Sequence, residues 1–347
     1  MTVLVKQALV ADPHSAHNGT RKDIFIENGV ISRIGELPDA GNFPVIDAEG
    51  ACISPGWVDI FCQFGEPGLE HKETIATGAE AAAAGGFTDV LLTPNTIPVI
   101  HNRTAVEFLL NKNNGIPVTL HVTGAVTEKT EGKELAEMID MHYGGAIAFG
   151  DGVNSIQSAG LLLKALQYVN TFNGIVIQVP DDKSISRNGL MNEGIVSTQL
   201  GLPGKPVLAE DLMVARDIEL CVYTGSRIHF AGISSAAAIN RIREAKTRYP
   251  GISCSITPYH LHFTDADLEQ YNTHLKVNPP LRTATDRDAL RQALADGVID
   301  CVTSFHQPHE WDAQQCEFEY AAWGMEGLES CFGALAAIPG ITPEKIV

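Results

Sequence analysis

From residue 55 onward, short apolar blocks alternate with longer segments of helical spacing. The blocks lie at residues 57–62, 88–93, 118–122, 146–149, 174–179, 227–231, 253–257 and 299–303. They are rich in Val, Ile, Leu and Phe with little polar alternation, the pattern of strands covered on both faces. Between them, residues 77–85, 105–112, 159–169, 209–225, 236–249 and 286–296 are predicted helices, and Gly85-Gly86 stops the first of these. Eight strands interleaved with helices predict a (β/α)8 TIM barrel, with any site on the loops that follow the strands. A doubly wound α/β sheet fits less well, because no glycine-rich phosphate loop follows the first strand. Before residue 55 the pattern differs. Residues 3–10 are mostly apolar, residues 24–26 and 30–34 flank the hairpin signal Asn28-Gly29, and residues 45–48 close the unit. The predicted organisation is a small β domain over residues 1–54 and a barrel domain over residues 55–347.

Charge narrows the partners. The 347 residues carry a net charge of −18, which argues against nucleic acid or an anionic membrane surface. It also means that a site for an anion must supply its own local positive charge. The seven cysteines are scattered and form no C-x-x-C pair, as expected for reduced thiols. There is no signal-like start and no apolar run long enough to cross a bilayer, so a soluble cytoplasmic protein is expected. The charged run at residues 128–134 reads as a solvated face.

Residues 55–68 read PGWVDIFCQFGEPG. Together with GAEAAAAGGFTDVLLTPNTIP (78–98), MNEGIVSTQLGLPG (191–204), KVNPPLR (276–282) and GMEGLE (324–329), this stretch resembles the dihydroorotases of the amidohydrolase superfamily. The resemblance runs over nearly the whole chain. In that family the first barrel strand reads Val-Asp-x-His-x-His-x-Arg-Glu-Pro-Gly. Its two histidines share a face and hold zinc, and its arginine grips the substrate carboxylate. Here Phe61 and Gln63 stand at the histidine positions and Gly65 at the arginine position. The resemblance places further ligand positions at Gln178 and Gly232, and the metal-binding, proton-shuttling aspartate at Phe305. Asp151 would be a surviving carboxylate. Glutamine is a weak zinc ligand, and glycine and phenylalanine offer none, so zinc, expected for the family, is not expected here. The resemblance marks Asn95, Asn278 and His309 as substrate contacts. Their ordinary structural use is to cap loops and satisfy backbone groups.

His260, His262, His306 and His309 are the residues from which a relocated metal site would have to be built; the plainer reading is that they are satisfied core or loop histidines. Cys62 alternates away from Phe61 and Gln63 and is expected to be a buried thiol. Asp59 is expected to support the first strand. The resulting expectation is a catalytically inactive relative of dihydroorotase in pyrimidine biosynthesis. It would act as a structural or regulatory partner of aspartate carbamoyltransferase, which the resemblance nominates, and form a homo-oligomer. The alternative is an active dihydroorotase or other cyclic-amide hydrolase with a rebuilt site. A small-molecule sensor using the old pocket is a third reading. The resemblance implies a C-terminal β segment that completes the small domain; with the sequence ending at Val347, the expectation is either a truncated piece or a reduced β domain.

Overall fold

The computed structural model describes residues 2–37 and 41–346, and it divides into two compact units. The first holds residues through Trp57 together with those from Leu335 onward; the second is Val58–Ala334.

In the first unit, strand Thr2–Val10 pairs antiparallel with Arg21–Glu27, which pairs antiparallel with Val30–Gly35. The hairpin turn is the predicted Asn28-Gly29. Both residues have positive φ (53° and 80°), which suits a turn matching the right-handed strand twist. Val45–Asp47 and Cys52–Ile53 add to the first strand in parallel. Asp23 fastens the unit by accepting from the Gln7 and Leu37 amides.

The second unit, apart from Trp57 at the start of the first strand, holds a barrel of eight parallel strands in sequential order: Trp57–Cys62, Phe87–Leu92, Thr119–Gly124, Ala148–Phe149, Val176–Gln178, Ile228–Phe230, Ile252–Ile256 and Cys301–Val302. Each coincides with a predicted block, and the predicted helices stand between them. Helix starts are chemically explicit. Thr74 and Thr283 make reciprocal capping boxes, and Asn102, Ser158 and Ser235 cap with a side-chain oxygen. None of the helices among the described residues is long and apolar enough to span a membrane.

The first and eighth strands are joined through one carboxylate. Asp59, fully buried, accepts from the Phe61 amide (2.9 Å), the Ser304 amide (3.0 Å) and the Thr303 hydroxyl. Just beyond, the Gln63 amide donates to the His306 carbonyl at 2.9 Å. Burial pushes the Asp59 carboxyl up, opposed by these hydrogen bonds. The Asp59→Ala variant strands two buried amide donors, each costing about 1–3 kcal/mol, and leaves the Thr303 hydroxyl only the Phe61 carbonyl at 3.3 Å. Its unfolding free energy in urea is expected to fall by at least about 2 kcal/mol; a change within 0.5 kcal/mol would show that the closure does not depend on it.

Candidate functional site

The centre of the barrel is apolar. The Phe61 and Phe305 rings stack at 4.2 Å between centroids, 14° from parallel, and both side chains are buried. They belong to one cluster with Leu91, Ala148 and Ile177 of the second, fourth and fifth strands and with Val179 and Ala231, which directly follow the fifth and sixth. Phe305 also rests on Gly232, where a Cβ would lie 2.9 Å from the Phe305 ring. Gly232 has φ of 71°, so a larger residue there would meet both backbone strain and the ring. Phe305 itself has φ of 52°, unusual for a bulky side chain, and is held there by the surrounding packing.

The other sequence-predicted positions do not converge on this centre. Gln63 is half-buried at the edge of a cleft. Gln178 requires a correction. Its side chain donates to Asp217 of helix Val207–Thr224 at 3.2 Å and contacts the Ile156 backbone, while its neighbours Ile177 and Val179 join the central cluster. Strand alternation therefore turns Gln178 toward the helices, away from any metal position. Asp151 is buried and accepts from the Thr127 amide at 2.9 Å and from the Thr127 hydroxyl. Gly65 leaves no room for an arginine side chain, since a Cβ would come within 2.2 Å of the Leu69 carbonyl oxygen.

The histidines are each occupied elsewhere. His260 is buried between the Thr257 hydroxyl and the Pro279 and Pro280 carbonyls, and burial lowers its pKa to about 4. His262 bonds the Ala334 carbonyl. His306 accepts from the Gly327 amide at Nδ1, which leaves Nε2–H to donate to Glu73 at 3.0 Å. His309 bonds the Trp323 carbonyl through Nε2 at 2.8 Å and faces Lys72 through Nδ1 at 3.4 Å; burial lowers its pKa. His229 lies between Ser253 and Ser255, and burial lowers its pKa to about 4. Among the described residues no group of three or more His, Cys, Asp or Glu is arranged to hold a metal ion. Zinc needs several imidazole, thiolate or carboxylate donors about 2.0–2.3 Å away. Stacked phenyl rings against a glycine do not meet that need, so the residues present do not fit the family's metal. Cys62 is the buried thiol expected, directed at the Leu91 carbonyl.

Beside the filled centre lies a cleft of about 870 Å³ lined by Gln63, Asn278 and His309 from the sequence reading, and by Asp181, Lys205, Gln307 and Trp323, which that reading missed. Lys205 is buried, donating to Asp181 at 2.9 Å and to Asn278 Oδ1 at 2.6 Å; burial lowers its pKa, partly offset by Asp181. It sits on a two-residue strand, Gly204–Lys205, paired with Met191–Asn192. Arg282 locks that ladder in place by donating to the Lys205 carbonyl (2.7 Å) and to Asn192 (3.0 Å). Lys276, also buried, donates to the carbonyls of Phe318, Glu319 and Ala321 and thereby sets the loop carrying Trp323. Asn95 is not among the cleft residues. It bonds the Asp151 carbonyl and the Val153 amide, and its Oδ1 occupies the place of a Cβ on Gly152. The structural use of Asn95 is thus explicit, whereas Asn278 and His309 do face the cleft.

A family described as "Dihydro-orotase-like" matches residues 50–238. The chain is 42% identical over 351 residues to a protein named dihydroorotase from Pelotomaculum thermopropionicum, covering all of this chain and 82% of the relative. It is 43% identical over 336 residues to one of the same name from Syntrophus aciditrophicus, covering 95% and 78%. Among solved structures it resembles the L-hydantoinase (dihydropyrimidinase) from Arthrobacter aurescens, with a TM-score of 0.84 over all of this chain and 80% of that one, at 21% identity.

Two outcomes follow from the packing and the buried carboxyl. Phe305→Ala is expected to cost about 3 kcal/mol in urea unfolding through the emptied core. Phe305→Gly should be no less stable than Phe305→Ala, because glycine relieves the positive φ; a glycine variant weaker by about 1 kcal/mol would refute that strain. Burial pushes the Asp151 carboxyl up to about 6 against the opposing Thr127 hydrogen bonds. The folded state then holds this proton at a pH where the unfolded chain has released it. Stability from this group is full below about pH 4 and is lost as pH rises through about 6. The stability of the native protein relative to Asp151→Asn should fall by on the order of 3 kcal/mol between pH 4 and 7, and a flat difference would contradict the assignment.

Proposed function

Because the chain belongs to the dihydroorotase-like family, we propose that it keeps the family's barrel but not its zinc-dependent hydrolysis, and acts by binding and association. The observation that carries this reading is the Phe61–Phe305 stack seated on Gly232. Metal-assisted hydrolysis of a cyclic amide needs an ion that brings the pKa of water down to about 7. It also needs a base positioned to move the proton, worth about 10²–10⁴ in rate. Phenyl rings at these positions supply neither, and Asp151 is already engaged by Thr127. The partner nominated by the resemblance is aspartate carbamoyltransferase, in pyrimidine biosynthesis.

A second reading is an active dihydroorotase with a rebuilt site. The names of relatives near 40% identity over almost the whole chain favour it, and they favour it more than they favour inactivity. Assay of dihydroorotate hydrolysis and of the reverse cyclisation, with zinc supplied, separates the two. The first reading expects no turnover above the uncatalysed rate and no rescue by Phe61→His alone. A turnover number of about 1 s⁻¹ or more establishes the second. For the partner, mixing with the transferase at micromolar concentration should give a co-eluting complex; independent elution with unchanged transferase activity would reject that partner.

A further inference from the structure

Asparagine followed by glycine occurs five times in the chain, at residues 18–19, 28–29, 114–115, 173–174 and 188–189. This dipeptide is chemically labile in water. Glycine has no Cβ, so its amide nitrogen can swing onto the side-chain carbonyl carbon of the asparagine before it. All five asparagines are exposed, so solvent access does not separate them. What separates them is the glycine N–H, which must supply the attacking nitrogen.

Three of these N–H groups are engaged. Gly19 donates to the Val10 carbonyl at 2.8 Å, Gly174 to the Val169 carbonyl at 2.8 Å and Gly189 to the Ser186 carbonyl at 2.9 Å. The first site is also held through its side chain, because Asn18 Oδ1 accepts from the Asp12 amide at 2.9 Å. At the other two, neighbours crowd the glycine. A Cβ on Gly174 would lie 2.6 Å from the Phe172 ring, and one on Gly189 would run into the Lys205 side chain. Gly29 and Gly115 differ. Neither N–H has a hydrogen-bond partner among the described residues, and a Cβ on either would meet nothing within 4 Å. The Asn28 side chain has no partner among the described residues, and Asn114 reaches only the Asn111 carbonyl, at 3.4 Å.

We infer that Asn28 and Asn114 are the Asn-Gly sites that deamidate in the folded protein, and that hydrogen bonding and packing protect Asn18, Asn173 and Asn188. The glycine nitrogen gives up its proton to a solvent base and bonds to Cγ of the asparagine. The Cγ–Nδ2 bond breaks, and ammonia leaves with a proton from solvent, closing a five-membered imide. Solvent water then opens the imide. Attack at Cγ gives aspartate; attack at the backbone carbonyl carbon gives isoaspartate, whose main chain runs through the side chain. Each event exchanges a neutral amide for a carboxylate. At residue 28 isoaspartate puts an extra backbone atom into the turn between Glu27 and Val30, which face each other in the ladder. At residue 114 the new charge lies just past the end of helix Arg103–Asn111, where the helix dipole disfavours it. This chemistry depends on solvent and the two turns alone, not on the function proposed above.

The test is peptide mapping by mass spectrometry of the full chain aged in mildly alkaline buffer, beside the same chain aged unfolded in guanidinium chloride. Unfolded, the five sites should react at similar rates. In the native chain Asn28 and Asn114 are expected to react at least about fivefold faster than any of the other three, the factor that breaking one hydrogen bond imposes. Methylation by an isoaspartyl methyltransferase should then label the peptides carrying residues 28 and 114 most strongly. The double variant Asn28→Gln with Asn114→Gln, in which the imide would need a larger ring, should lose most of the acidic species that ageing produces on isoelectric focusing. Equal native rates at all five sites would overturn the proposal. So would a native rate at residue 18, 173 or 188 matching that at 28 or 114, or an unchanged yield of acidic species from the double variant.

Discussion

The Phe61 and Phe305 rings lie in van der Waals contact at the middle of the barrel, and Phe305 lies in turn on Gly232. Three strands meet there: the first through Phe61, the sixth through the turn at Gly232, and the eighth through Phe305. Each of the three residues makes sense only beside the others. A side chain at 232 would collide with the ring, and a polar residue at 61 or 305 would be buried against an apolar partner without a hydrogen bond. The set behaves as one packing unit worth several kcal/mol, since buried aromatic side chains are costly to remove and the stacked pair adds about 0.5–1.5 kcal/mol.

Around this plug the polar frame of the barrel is intact. Asp59 ties the first strand to the eighth. Glu210 accepts from the Ser234 and Ser235 amides at the exit of the sixth strand, and Arg282 bonds Ser234, Asn192 and Lys205. Lys276 satisfies three carbonyls of the loop that ends in Trp323. These groups are buried and hydrogen-bonded, so losing any one strands its partners. The segments 55–68, 191–204 and 276–282, where the family resemblance is plain, contribute Asp59, Asn192, Lys276 and Arg282 to this frame. The frame keeps the cleft open and Lys205 in it whether or not chemistry occurs at the centre.

The eight strands were legible because burial on both faces leaves unbroken apolar blocks, and the helices from their spacing; the starts at Ile75, Arg103, Val207 and Ala284 fall two residues before the predicted ones. The hairpin at Asn28-Gly29 was legible from its turn chemistry. The fourth and eighth strands are shorter than their blocks, two residues each, because their flanks leave the ladder for the loops. That Phe61, Gly232 and Phe305 stand where the resemblance places ligands could be read from motif spacing, but their mutual packing could not. Gln178 was misplaced because a motif position does not fix strand parity, which the Ile177 and Val179 packing settles. Lys205 and Gln307 escaped notice because their significance is long-range: Lys205 meets Asn278 from 73 residues away. The one local sign was a lysine directly after the 191–204 block.

Apolar packing around Phe61 and Phe305 fills the centre of the barrel. Anomalous diffraction at the zinc absorption edge, from crystals of the protein equilibrated with zinc, tests it most directly. Continuous density for the stacked Phe61 and Phe305 rings, with no anomalous peak within about 4 Å of either, is the expected result. A peak there at full occupancy, with the rings displaced and nitrogen or oxygen donors at about 2.0–2.2 Å, would contradict it.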